Sequence, residues 1–242
     1  MPSVRTIGRG RAGSSLVRAL VAAGWTDAGS LGRGDDVAGA AGGDVDLLVI
    51  ATPDAAVRDV AAAVASVPSC VVAHLAGSLG LDVLTGEGHV RAAAVHPLRA
   101  IPTPDTPLAG AWFAVAGDRL AHDVVAAVGG RAIDVADGDR VAYHAAAVIA
   151  SNHLVALLGQ VERVAATAGV PLDAFVDLVR GTVDNVERLG PRDALTGPVA
   201  RGDWDTVARH LAALDPAERE AYTALAHAAA RLVDAEVPEL CG

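Results

Sequence analysis

The chain contains no lysine: all nineteen of its basic residues are arginines. That absence excludes a Schiff-base lysine, a phosphate-loop lysine and any lysine general acid. Cysteine is nearly absent too, and Cys70 and Cys241 are too few and too far apart for a disulfide framework or a zinc site. Positive charge is outweighed, with 19 basic against 29 acidic residues and a formal net charge of −10. No segment gathers enough arginine to make a nucleic-acid footprint. Residues 1–13 scatter Arg5, Arg9 and Arg11 among glycines and lack the apolar core of a secretory signal, so a cytoplasmic protein is expected. One uncharged stretch, 141–161, is long enough to test as a membrane span. It carries Tyr143, His144, Ser151, Asn152, His153 and Gln160, whose polar groups would lack partners in lipid. A helix buried between subunits or domains is the expectation there, with no membrane contact.

What is present is apolar and orderly. Hydrophobic residues make up 52% of 242 and charged residues 20%, enough for one large core or two modest ones. The first half alternates short β-branched runs with alanine-rich helical stretches. Strands are expected at 3–7, 46–51, 70–75, 92–96, 112–116 and 132–135, with helices at 14–23 and 54–66 and a further helix ending at Gly129-Gly130. Strands alternating with helices predict a doubly wound, mostly parallel sheet covered on both faces. After Asp137-Gly138-Asp139 the pattern turns wholly helical. Asp139 can cap a long helix to residue 168, a second spans 172–189 and stops at Gly190-Pro191, and Asp215-Pro216 opens a last one. The expected division is therefore an α/β domain over 1–138 and an all-α domain over 139–242.

Gly8-Arg9-Gly10-Arg11-Ala12-Gly13 fits G-x-G-x-x-G between a strand and a helix at the start of the α/β half. In that setting Gly8 permits the tight turn, Gly10 lets the backbone approach a pyrophosphate, and Gly13 lets helix and strand pack closely. A dinucleotide on the free N–H groups of the helix start is the expectation. Its identity turns on Ser30-Leu31-Gly32-Arg33-Gly34-Asp35-Asp36. Arg33, with Arg9 and Arg11 nearby, favours the 2′-phosphate of NADP, while Asp35 or Asp36 would suit the ribose of NAD. The loop Ala51-Thr52-Pro53-Asp54 leaves a strand at its carboxyl end, so Thr52 and Pro53 are placed beside the cofactor, with Asp54 as a helix cap.

The run 8–13, the loop ATPD, the segment His74-Leu75-Ala76-Gly77-Ser78 and the pair His96-Pro97 resemble the 6-phosphogluconate-dehydrogenase-like superfamily. The second half, through YHAAAVIASNHLVALL, DNVERLGPRDALTGPVARGD and ARHLAAL, resembles the Rossmann-like proteins that carry the domain of unknown function DUF2520. The resemblance covers nearly the whole chain. It implies an N-terminal NADP-binding domain, a helical second domain, a homodimer, and hydride transfer to a small carboxylate-bearing carbonyl or imine. A ketopantoate-type 2-oxo acid is the first substrate it suggests, and a cyclic imine such as pyrroline carboxylate the second. His74, Ala76 and Gly77 would then face the nicotinamide, and Ser78 the substrate or the nicotinamide amide. Hydroxyacid dehydrogenases and ketopantoate reductases of this superfamily use a lysine one helical turn before an asparagine. Asn152 fills the asparagine position, but Val148 stands where the lysine would be.

The missing acid leaves the histidines, whose ordinary pKa near 6.5 suits proton transfer. His96 resembles the catalytic histidine of prephenate dehydrogenases, which also precedes a proline, and is the first choice. His144, eight residues before Asn152, lies roughly on its face of the long helix and is a substrate-side candidate. A histidine in an apolar stretch also serves simply by satisfying a core carbonyl; His153 fits that description first, and His144 fits it as well as it fits a substrate role. The loop Thr196-Gly197-Pro198-Val199-Ala200-Arg201-Gly202-Asp203 resembles, in position and glycine content, the substrate loop of pyrroline-carboxylate reductases. Thr196, Gly197 and Arg201 are therefore expected to take a substrate carboxylate, with Asp203 capping the next helix. No metal site is expected. The rival expectation is a non-catalytic NADP-binding or sensing protein on the same scaffold.

Overall fold

The computed structural model describes residues 1–238; Cys241 lies outside them. The chain divides into two compact units, Met1–Ser151 and Asn152–Gly242.

The first unit is built on one seven-stranded sheet in the order β2-β1-β3-β4-β5-β6-β7. Its strands are β1 (Ser3–Ile7), β2 (Thr26–Leu31), β3 (Leu47–Ile50), β4 (Val71–His74), β5 (Ala92–Leu98), β6 (Trp112–Gly117) and β7 (Arg131–Asp134). All neighbours run parallel except β5 and β6, which pair antiparallel from Ala93↔Gly117 to Leu98↔Trp112. The continuous apolar strands explain the two-sided burial, because alternate side chains point to opposite faces. Leu47 and Val49 pack with Val4, Phe113 and Val115 under α1 (Arg11–Ala22) and α4 (Leu120–Ala127). Leu48 and Ile50 pack with Ile7 and Val72 under α2 (Val57–Ala63) and α3 (Asp82–Thr85). Because α1 and α2 cover opposite faces, the winding reverses between β1 and β3. The carboxyl ends of those two strands therefore border a crevice, the place where such folds bind ligands.

The elements depart from the sequence pattern in instructive places. Helix α1 starts at Arg11, immediately after the glycine turn. The expected helix at 54–66 begins as a 3-10 turn, Asp54–Ala56, with Pro53 at the N-cap position. Asp54 therefore does not cap it; its carboxylate accepts a bond from Ser78 Oγ at 3.4 Å. Pro97 lies inside β5, but the recorded pairing with β4 covers Ala92–Ala94, so the imino acid falls where the strand has one neighbour.

The expected long helix is α5 (Arg140–Val148), a π-helical turn at Ile149–His153 and α6 (Leu154–Thr167). Asp139 stands at its N-cap position without a side-chain cap bond. By length and composition the helical run Asp137–Thr167 is apolar enough to cross a membrane, with an 18-residue window of mean hydropathy 1.5. Val141, Ile149 and Val155 are exposed on it.

The second unit carries α6, α7 (Asp173–Ala194), α8 (Trp204–Ala213) and α9 (Pro216–Leu232). Helix α7 breaks at Gly190, whose φ of 78° and ψ of 164° are non-helical, and resumes for a last turn from Pro191. Asp203 caps α8 through Thr206 N at 3.1 Å, and Asp215 caps α9 through Ala217 N at 2.9 Å, as the sequence signals require. A small core of Val199, Val207, Leu211, Ala226 and Ala230 joins α8 to α9. His210 Nδ1 meets the Tyr222 hydroxyl at 2.7 Å across the same pair of helices.

Candidate functional site

The glycine turn is a backbone cradle. Gly8 has φ of +113°, and a Cβ there would lie 2.4 Å from the Ala51 carbonyl oxygen. A Cβ on Gly13 would lie 2.7 Å from Ala51 Cβ. Strand β1, helix α1 and the end of β3 therefore close on one another only because both residues are glycine. Gly10 occupies the N-cap of α1 without a side-chain cap bond, and no acidic residue stands in the first turn. The first N–H groups of a twelve-residue helix thus face the crevice with a positive dipole end and no competing carboxylate.

At the end of β2, Arg9 pairs with Asp35 at 3.0 Å and donates to Ser30 O at 3.1 Å. Asp35 also accepts from Gly32 N at 2.7 Å, so this carboxylate is already engaged. Arg33 is exposed beside it. Arg11, grouped with these from sequence, turns instead to the Pro102 carbonyl at 3.4 Å. Thr52 Oγ1 is enclosed and has no partner among the described residues, while Pro53 is exposed.

Further along the same sheet edge a polar cluster gathers at the ends of β4 and β5. His74 is fully buried; its Nε2 faces the Gly80 carbonyl at 3.2 Å. His96, leaving the β4-paired part of β5, sets its Nδ1 2.7 Å from the Tyr143 hydroxyl of α5. Its ring is also edge-on to His144, with centroids 5.6 Å apart. Gly77 is the floor: a Cβ there would lie 2.3 Å from His144 Nδ1 and 2.9 Å from His96 Nε2. Ala76 is buried beside it, and Ser78 is half-buried against Asp54.

Burial sets the electrostatics here. Desolvation, helped by His144, Arg140 and His74, pushes His96 down to about 4. Burial also lowers His74 from its ordinary value, against the weaker pull of the Gly80 carbonyl. Tyr143 is raised by burial and stays a phenol at neutral pH, with Arg140 opposing that rise. The His96–Tyr143 pair is therefore a neutral hydrogen-bonded couple that can hold and pass one proton without forming an imidazolium first. Tyr143 and Arg140 are the residues that sequence reasoning missed. The available signal was their spacing: Arg140, Tyr143 and His144 stand at i, i+3 and i+4 of one helix.

Of the other residues read from sequence, Gly8–Gly13, Ala51 and Thr52 meet at the crevice, and His74, Gly77, His96 and His144 meet beside it. Asn152, Thr196, Gly197 and Arg201 belong to the second unit. Asn152 is exposed at the π turn, and Arg201 ends a 3-10 turn (Val199–Arg201) closed by left-handed Gly202. Among the described residues no group of three or more His, Cys, Asp or Glu is arranged to hold a metal.

A doubly wound sheet with a glycine-turned β1–α1 unit at its switch point, followed by a helical region, makes this a Rossmann-type α/β protein. Residues 113–229, from β6 into α9, match the family described as domain of unknown function (DUF2520). No curated protein matches the chain. Among solved structures it is similar to the candidate NADP oxidoreductase BF3122 from Bacteroides fragilis, at 20% identity and a TM-score of 0.77 over 95% of this chain and 98% of that one. A reductive aminase from Aspergillus terreus in complex with NADPH and ethyl levulinate is similar at 16% identity and a TM-score of 0.70, covering 96% and 94%. A Plasmodium falciparum pyrroline carboxylate reductase with NADP bound matches at 12% identity and 0.63, covering 96% and 98%. At these identities the likeness is one of fold.

Proposed function

We propose that the protein is an NADP-dependent reductase of a small carbonyl or imine compound bearing a carboxylate. The observation that carries the reading is the pairing, along one sheet edge, of an uncapped and acid-free helix N-terminus with the neutral His96–Tyr143 couple. Support comes from the NADP and NADPH complexes among proteins of the same fold.

The cradle fits the cofactor because any side chain at Gly8 would strike the Ala51 carbonyl. Gly8, Gly10, Ala12 and Gly13 would hold the pyrophosphate on the α1 N–H groups, with Ala51 and Thr52 beside them. Arg9 and Arg33 would take the 2′-phosphate, since the Asp35 carboxylate is held by Arg9 and Gly32 N and is not open to a ribose. When bound, NADPH supplies the hydride. His96 and Tyr143 hold the proton that the reduced oxygen or nitrogen needs, and a preformed iminium would need it less, which suits a chain without lysine. On the first unit, Ser78 orients the reacting group and His144 lines the substrate. The α/β part carries the cofactor, and the helical part carries the homodimer contact over its exposed apolar helices. A soluble, cytoplasmic enzyme without nucleic-acid or membrane partners completes the reading.

The test is calorimetric titration of the purified protein with NADPH and NADH at fixed salt. Micromolar NADPH binding, much weaker NADH binding, and selective loss of NADPH affinity in Arg33→Ala are expected. Failure to bind either nucleotide removes the reductase. NADPH binding without reduction of any oxo acid or cyclic imine favours the sensing protein instead.

A further inference from the structure

Arg140 is the largest side chain in the described chain without exposed surface. None of its three guanidinium nitrogens has a hydrogen-bond partner among the described residues. Its Nε lies 3.7 Å from Asp137 Oδ1, an ion pair beyond hydrogen-bond reach. Asp137 is committed elsewhere: its Oδ2 accepts the Leu81 N–H at 2.9 Å, and its carboxylate lies against Gly80. A guanidinium presents five N–H donors, and enclosing it without acceptors costs several kcal/mol. Desolvation lowers Arg140 from its ordinary pKa, with Asp137 opposing the fall.

The orphaned donors are not alone. Thr52 Oγ1 at the end of β3, His74 Nδ1 at the end of β4 and His144 Nδ1, one turn along α5 from Arg140, are enclosed and unpartnered too. Arg140 is near enough to bias the titration of His74, His96 and Tyr143. The carboxylates acting on this group are Asp137, on Arg140 and His74, and Asp54, on His74. The polar surplus at this end of the sheet is therefore cationic and hydrogen-bonding, and what it lacks is an anion with two acceptor oxygens.

We propose that Arg140 is the seat of the substrate carboxylate, which its planar fork would grip through both oxygens. The inference rests on the reductase reading and deepens it, because it states what the substrate must carry: a small 2-oxo acid or cyclic imino acid. The fold holds a cation without hydrogen-bond acceptors, 3.7 Å from Asp137, against its own stability so that the ligand supplies them. The seat is closed in the free chain. The segment 77–81, tied to the start of α5 by the Leu81–Asp137 bond, is the element that must give to admit the ligand.

The experiment uses the full chain with oxamate and pyrrole-2-carboxylate as unreactive probes and their neutral carboxamides as controls. Thermal unfolding and calorimetry are followed for the native protein, Arg140→Met and Arg140→Lys. The carboxylates should stabilise and bind the native protein, and the carboxamides should do neither. Arg140→Met should melt at the same or a higher temperature without ligand, yet lose the response to carboxylate. Arg140→Lys, with charge but no fork, should bind roughly tenfold more weakly or worse. An Arg140→Met protein that melts lower, or that keeps its carboxylate response, overturns the proposal, as does a native protein indifferent to both probes. NADPH titration of the same samples separates the two readings. Native protein that binds NADPH but ignores carboxylates loses the seat alone; native protein that binds no NADPH loses the reductase.

Discussion

His96 gives the sharpest quantitative expectation, because its environment predicts a pH-dependent stability independent of any substrate. The folded imidazole sits near 4 against an ordinary 6.5, chiefly through desolvation. The unfolded chain therefore binds more protons than the folded one between those values, so the contribution is intact above about 6.5 and is lost as pH falls toward 4. For one such site the linkage relation gives a loss of about 2 kcal/mol between pH 7 and pH 5. With a urea dependence of roughly 2 kcal/mol per molar, that is a shift of about 1 M in the unfolding midpoint. His74 is lowered in the same direction and adds to the raw curve, so the comparison must isolate His96. His96→Asn retains a side chain able to meet the Tyr143 hydroxyl but does not titrate. Urea unfolding followed through Trp25, buried in the first unit, should show the native protein losing about 2 kcal/mol more than the variant over that pH range. Parallel curves, within about 0.5 kcal/mol, would mean that His96 titrates as a solvated imidazole, and the neutral couple with Tyr143 would have to be abandoned.

Two other expectations concern the sheet. Gly8→Ala should destabilise the first unit by about 2–4 kcal/mol, since it combines a left-handed φ with a clash on backbone that cannot step aside; chemical unfolding would measure it, and a neutral result would contradict the cradle. Cys70 is buried and its thiol is pushed up to about 11, so in a Cys241→Ser background native protein should take up no iodoacetamide at pH 8 until it unfolds. Labelling at the rate of a free thiol would refute that burial.

The sheet was largely legible because its strands are short apolar runs that need no tertiary information to recognise. Leu47–Ile50 is uniformly apolar and buried on both faces, Val71–Ala73 likewise ahead of His74, and Ser3–Ile7 keeps Val4 and Ile7 buried despite Ser3, Arg5 and Thr6. The antiparallel turn between β5 and β6 was not read from the strands themselves. Its signal lay in the connection 99–111, which contains no helix and so cannot be a parallel crossover. Asp54 was misread as a cap because Pro53, with φ already near the helical value, takes that position. At the site, the glycine cradle was legible since its demand is local. The His96–Tyr143 couple was not, because it joins a strand to a helix 47 residues later and is created by packing alone. Arg140 was hidden for the opposite reason: its importance lies in the partners it lacks, and a sequence records residues without recording vacant bonds.

The floor under the two imidazoles is set by the hydrogen that Gly77 carries in place of a side chain. Since His144 Nδ1 and His96 Nε2 already occupy the space a Cβ would need, the chemistry of any replacement is irrelevant; the first carbon is enough to displace the rings. In a saturation scan, position 77 would thus form a uniform column in which alanine scores as poorly as tryptophan. Position 96 would instead be graded, with replacements that still meet the tyrosine hydroxyl retaining more than those that do not. A flat column beside a graded one would mark the difference between a residue valued for its emptiness and one valued for its atoms.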